Sequence, residues 1–77
     1  MYNLTISEIK KAFRALPPYQ PMTHNDLFWY VKDFYHGKGF IEMASIHSAL
    51  AQSAQMFEQA KINGEKMFWI SEKILDK

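Results

Sequence analysis

The dipeptide Asn63-Gly64, set between two runs that mix apolar and polar residues, constrains this chain more than any other feature. Asn-Gly is a favoured centre of a two-residue type I′ turn, because both central residues of that turn need positive φ. The flanking runs, 57–62 and 66–70, predict the two strands of a β-hairpin. A two-residue turn puts Phe57, Phe68 and Ile70 on one face of the hairpin and Ile62, Met67 and Trp69 on the other. The pattern leaves open which face meets a core.

Three helices are predicted ahead of the hairpin. The first covers 5–16. Thr5 and Glu8 make a T-x-x-E capping box, and Leu4 and Ile9 are placed for a hydrophobic staple. Ile6, Ile9, Phe13 and Leu16 recur at spacings of three and four, with Lys10, Lys11 and Arg14 largely on the other side. Pro17-Pro18 ends it. The segment Tyr19-Gln20-Pro21-Met22 is proline-bound and adds one short edge strand at most. The second helix repeats the same grammar. Thr23 is its N-cap, Asp26 stands at N3, and Met22 and Leu27 form the staple. It runs to about His36, with Gly37 as the left-handed C′ residue and Leu27, Val31 and Phe34 inward. The third covers about 43–55, starting near Glu42 or Ser45. Ile46 and Leu50 mark its buried stripe, with Ala49, Ala54 and Met43 beside them. Ser45, His47, Ser48, Ala51, Gln52 and Gln55 are left outside. The tail 72–77 is expected as a helical turn or a frayed end.

Length and composition set the limits. Seventy-seven residues suit one domain spanning 1–77, and 48% hydrophobic residues with 16% aromatics provide its core. There is no cysteine, which excludes disulfides and thiolate metal sites and fits a cytoplasmic location. No apolar run approaches the ~20 residues of a membrane span, and the N-terminus lacks the charged and apolar regions of a signal peptide. Nine Lys and Arg oppose eight Asp and Glu, a net charge of only +1. For nucleic-acid binding, the distribution of that charge therefore matters more than its sum.

The order helix, tight connection, helix, turn, helix, hairpin resembles the winged helix-turn-helix family of DNA-binding domains. Three stretches carry the resemblance. Pro21 to Leu27 is similar to the entry into that family's second helix. Ala44 to Leu50 is similar to its recognition helix, with small polar residues outward and aliphatics inward. Phe57 to Ile70, with Asn63-Gly64, is similar to its wing. The resemblance implies an α+β fold, a three-helix winged helix-turn-helix with a C-terminal β-hairpin wing. It further implies a protein that binds double-stranded DNA and regulates transcription in a prokaryotic, phage or plasmid setting. The third helix would enter the major groove, with Ser45, His47, Ser48 and Gln52 as base readers. Lys61 and Lys66 on the wing, and Lys38 ahead of the third helix, would meet phosphates.

Two features point toward a protein partner as well. From Met43 to Phe57 there is no charged residue, and Arg14 is the sole arginine. Arginine to guanine is the commonest specific base contact, so tight DNA binding would call for a homodimer or a partner protein. The second helix carries Phe28, Trp29, Tyr30, Phe34 and Tyr35, which at ~100° per residue cannot all point inward. Trp29 and Tyr30 are the candidate protein interface. The alternative function is accordingly an interaction module on the same scaffold that does not touch DNA.

Chemistry finds few footholds. His24, His36 and His47 lie on different elements without ligand spacing, and His24 and His36 read as surface residues at the two ends of the second helix. Gly37-Lys38-Gly39 is a turn and lacks the pattern of a phosphate loop. No set of Ser, His and Asp has a recognised spacing, and no carboxylate pair stands in an apolar setting. No enzyme activity, cofactor, metal or small-molecule substrate is expected.

Overall fold

A computed structural model describes residues 2–71. In chain order it contains α1 (Ile6–Arg14), α2 (His24–Phe34), α3 (Met43–Gln52), a single 3-10 turn (Ala54–Met56), β1 (Phe57–Ile62) and β2 (Glu65–Ile70). The expectation for 72–77 falls outside these residues. The fold is α+β, three helices followed by an antiparallel hairpin, in the topology of a winged helix-turn-helix.

Both helix starts form as the sequence dictates. Thr5 Oγ1 accepts from the Glu8 amide at 3.1 Å, while Glu8 Oε1 accepts from the Thr5 amide at 2.8 Å. Thr23 and Asp26 exchange the matching pair, both at 3.1 Å. Each box satisfies two amides that a helix N-terminus would otherwise leave orphaned, worth about 1 kcal/mol per cap. The staple residues Leu4, Ile9 and Leu27 are buried, and Met22 packs partly buried against them.

The helices end earlier than their spacing implies. α1 stops at Arg14 with Ala15 as C-cap, and Leu16 is buried beyond it. α2 stops at Phe34. The His36 amide donates to the Asp33 carbonyl at 2.9 Å and the Gly37 amide to the Lys32 carbonyl at 2.8 Å. That is the Schellman pattern, with His36 rather than Gly37 at C′. His36 takes φ 57° and Gly37 φ 77°, so two successive left-handed residues turn the chain away. The hydroxyl of Tyr35 donates to the Glu8 carbonyl at 2.7 Å and ties this end of α2 to α1. Burial, with Glu8 nearby, raises the pKa of that phenol.

α3 begins after Glu42, which makes no side-chain cap. It ends at Gln52, three residues short of the expected end. The Ser53 amide is shared between the Ala49 and Leu50 carbonyls, and the chain tightens into the 3-10 turn. Just beyond the turn, the Phe57 ring meets Phe13 in a T-shaped contact at 5.4 Å. Ala54, expected beside the buried stripe, is exposed.

The hairpin turns at Asn63 (φ 52°) and Gly64 (φ 83°), as the dipeptide predicts. β2 is one residue longer than expected because Glu65 pairs with Ile62. Phe57, Phe68 and Ile70 take the inner face, which answers the question left open by alternation. The segment after Pro17-Pro18 pairs with the far edge of β2 through isolated bridges. Pro18 pairs with Ile70, while Met22 and Phe68 exchange two backbone bonds of 2.8 Å. β2 thus lies between β1 and this segment. A further bridge joins Asn3 to Phe40. The core gathers Ile9 and Phe13 of α1, Leu27 and Val31 of α2, Ile46 and Leu50 of α3, and Phe68 and Ile70 of β2. Among the described residues no helix is long and apolar enough to cross a membrane.

Candidate nucleic-acid interface

Strand alternation sorts the hairpin's charges. Residues directly opposite in an antiparallel pair share a face. Lys61 is directly opposite Lys66, on the face that carries Phe68 and Ile70. Glu58 is opposite Trp69 and Glu65 opposite Ile62, on the other face. Glu58 is further held there by the Trp69 indole, whose Nε1 donates to its Oε1 at 3.1 Å. Both lysines of the hairpin therefore look one way and both carboxylates the other.

Like charges directly opposite on a sheet destabilise it. Lys66 leans back along β2, its Nζ 6.0 Å from the centre of the Phe68 ring. This brings it to the rim of an open cleft of about 210 Å³ between α3 and the hairpin. Phe57, Phe68 and Leu50 form the apolar part of the cleft, Ala51 and Ala54 one wall, and His24, Gln59 and Lys66 the polar rim. No carboxylate lines it.

The candidate readers on α3 look in three directions. His47 faces the start of α2, its ring 4.2 Å from that of His24. Ser48 is exposed on the outward side. Gln52 faces α1, and its Oε1 accepts from Lys10 Nζ at 3.5 Å. Ser45 is half-buried on that same flank, since 45 and 52 fall close together at ~100° per residue. Lys38 is exposed in the connection from α2 to α3, two residues before the Phe40 that pairs with Asn3. The structure thus brings His24 and Lys66 to the rim of the cleft, stacks His47 on His24, sets Lys61 across from Lys66, and leaves Ser45 and Gln52 on the α1 flank. Trp29 is exposed, whereas Tyr30 is half-buried against the core.

Sequence reasoning missed three contributors. Gln59 and Lys10 join this surface through packing that spacing does not encode. His24, expected at the surface, is half-buried, stacked on His47 and edge-on to Phe68 at 4.8 Å. Its pKa is lowered, first by burial, then by His47 and Lys66. The pair has no third ligand-type side chain grouped with it among the described residues.

Searches against family models, curated proteins and solved structures find no match to this chain.

Proposed function

We propose that this chain binds double-stranded DNA, placing α3 in the major groove and the lysine face of the hairpin against the backbone. The observation that carries the reading is the segregation of Lys61 and Lys66 from Glu58 and Glu65. A facing lysine pair costs stability in the free protein, and an anion between the strands and α3 offsets that cost. The outer face of α3 is neutral and built of small side chains, which permits close approach to base edges. His47 stacks on His24 beside the cleft, Ser48 is exposed outward, and Ser45 and Gln52 complete the face toward α1. The setting that fits is a cytoplasmic transcription regulator of prokaryotic, phage or plasmid type. With few phosphate contacts from one copy, it works as a homodimer or with a partner protein.

The test is fluorescence anisotropy with a labelled duplex across a salt series. Affinity is expected in the micromolar range at low salt, falling roughly tens- to hundreds-fold between about 50 and 200 mM salt for three to five phosphate contacts. Lys66→Ala should weaken all sequences alike and reduce the salt slope by about 1, whereas Gln52→Ala should alter sequence preference. No binding at low salt with high-micromolar protein would sink the reading.

One observation favours the second reading, a protein-interaction module. Trp29 is 54% exposed and borders a shallow groove with Pro21, Met22 and Tyr30 that is edged by Asp26 and Asp33. An exposed tryptophan beside carboxylates suits a basic, apolar partner segment. On this reading Trp29→Ala should cost about 2 kcal/mol or more of self-association or partner binding. Sedimentation that shows a monomer, with every partner interaction intact in Trp29→Ala, would count it out.

A further inference from the structure

We infer that His24, His47 and Lys66 together form a site for one phosphate group, and that filling the site takes up protons. The inference rests on the DNA reading and names the regulation of that same surface. The three side chains come from three elements, α2, α3 and β2. The two imidazole rings stack with centroids 4.2 Å apart and planes 31° from parallel. Phe68 closes one side of His24, and Lys66 reaches back over Phe68. Helix packing alone does not call for two imidazoles face to face beside a lysine.

Among the described residues, the charged side chains that act on His24 are of one sign. His47 faces His24 from α3 and Lys66 from β2. On α2 itself the nearest carboxylate, Asp26, accepts from the Thr23 amide at 3.1 Å. Both hairpin carboxylates lie on the opposite face of the sheet. In the free protein a proton on His24 is therefore penalised by burial and repelled by two neighbours, His47 and Lys66. A phosphate oxygen at the cleft rim reverses the balance, because a nearby anion favours the charged imidazole. By linkage, a ligand that raises a pKa binds more tightly as pH falls.

The free fold responds with the opposite sign. The pKa of His24 is lowered on folding, so the unfolded chain binds its proton more readily. Stability is complete above the ordinary histidine pKa of 6.5 and declines as pH falls below it toward the folded value. Acid thus loosens the empty protein while it strengthens the complex.

The experiment measures duplex affinity at about pH 7.5 and about pH 5.5 at fixed ionic strength, for the wild type, His36→Gln and the double variant His24→Gln/His47→Gln. The wild type should bind roughly three- to tenfold tighter at the lower pH, and His36→Gln should keep that ratio. In the double variant the ratio should fall to about twofold or less. In parallel, the imidazole resonances of the wild type are titrated by NMR in chloride and in inorganic phosphate at matched ionic strength. The His24 resonance should titrate at higher pH in phosphate than in chloride. A duplex bound equally well at both pH values leaves the DNA reading standing and overturns the site. If no duplex binds at all, the DNA reading fails. The site then survives only as a free-phosphate site, and unmoved imidazole titrations in phosphate overturn that too.

Discussion

Phe13→Ala is expected to cost about 3–5 kcal/mol, most or all of the stability that holds a domain of this size folded. Phe13 is fully buried, and its ring takes the edge-on contact from Phe57 at 5.4 Å. Truncation removes the transfer energy of the ring and opens a cavity where α1 meets the base of the hairpin. A domain of this size has a total stability of about 5 kcal/mol to spend against such a loss. Urea denaturation followed by circular dichroism reads the result. A midpoint close to that of the wild type would show that the α1–hairpin joint is not where the fold is held.

Gly39→Ala is expected to cost about 2–4 kcal/mol, an unusual amount for the addition of one methyl group. Two effects combine. Gly39 has φ +85°, where an L side chain costs about 1–2 kcal/mol. A Cβ built there also lies 2.9 Å from Cγ and Cδ2 of Leu4. Leu4 is itself in the core, and its amide donates to the Phe40 carbonyl at 3.0 Å, so it has little freedom to retreat. Overpacking of this kind typically adds about 1–3 kcal/mol. A double-mutant cycle with Leu4→Ala separates the two, since the alanine relieves the clash and leaves the backbone strain. Strict additivity in that cycle would assign the whole cost to φ. A cost under about 0.5 kcal/mol would mean that the N-terminal segment does not pack here.

Local chemistry made much of the fold legible. The boxes at Thr5 and Thr23 announce helix starts because each satisfies its own orphan amides within four residues. Asn63-Gly64 announces the hairpin because few dipeptides tolerate two positive φ angles. Helix ends were less legible because tertiary contacts set them. α3 gives way at Ser53 to a 3-10 turn that leads into the Phe57–Phe13 contact, and His36 takes the left-handed position for which Gly37 is the natural residue. The candidate site divides along the same line. Lysines and carboxylates on opposite hairpin faces follow from alternation once the turn is placed. The stack of His24 on His47 joins residues far apart in the chain on separate helices, and no short-range pattern encodes it. The pairing of Met22 with Phe68 was legible only as a short edge strand without a partner.

That last pairing has a mechanical consequence. Met22 immediately precedes the cap that starts α2, so the root of the hairpin is bolted to the root of a helix at Phe68 and Ile70. Among the described residues, neither strand has a backbone pairing partner beyond Phe68 except the other. The hairpin is a short cantilever, its backbone clamped at one end and overhanging from Lys66 around the turn to Lys61. The overhang is the part that carries its positive charge. The clamp fixes its direction relative to α3, and in the proposed complex the overhang would let the two ammonium groups follow a phosphate ridge whose spacing varies along its length.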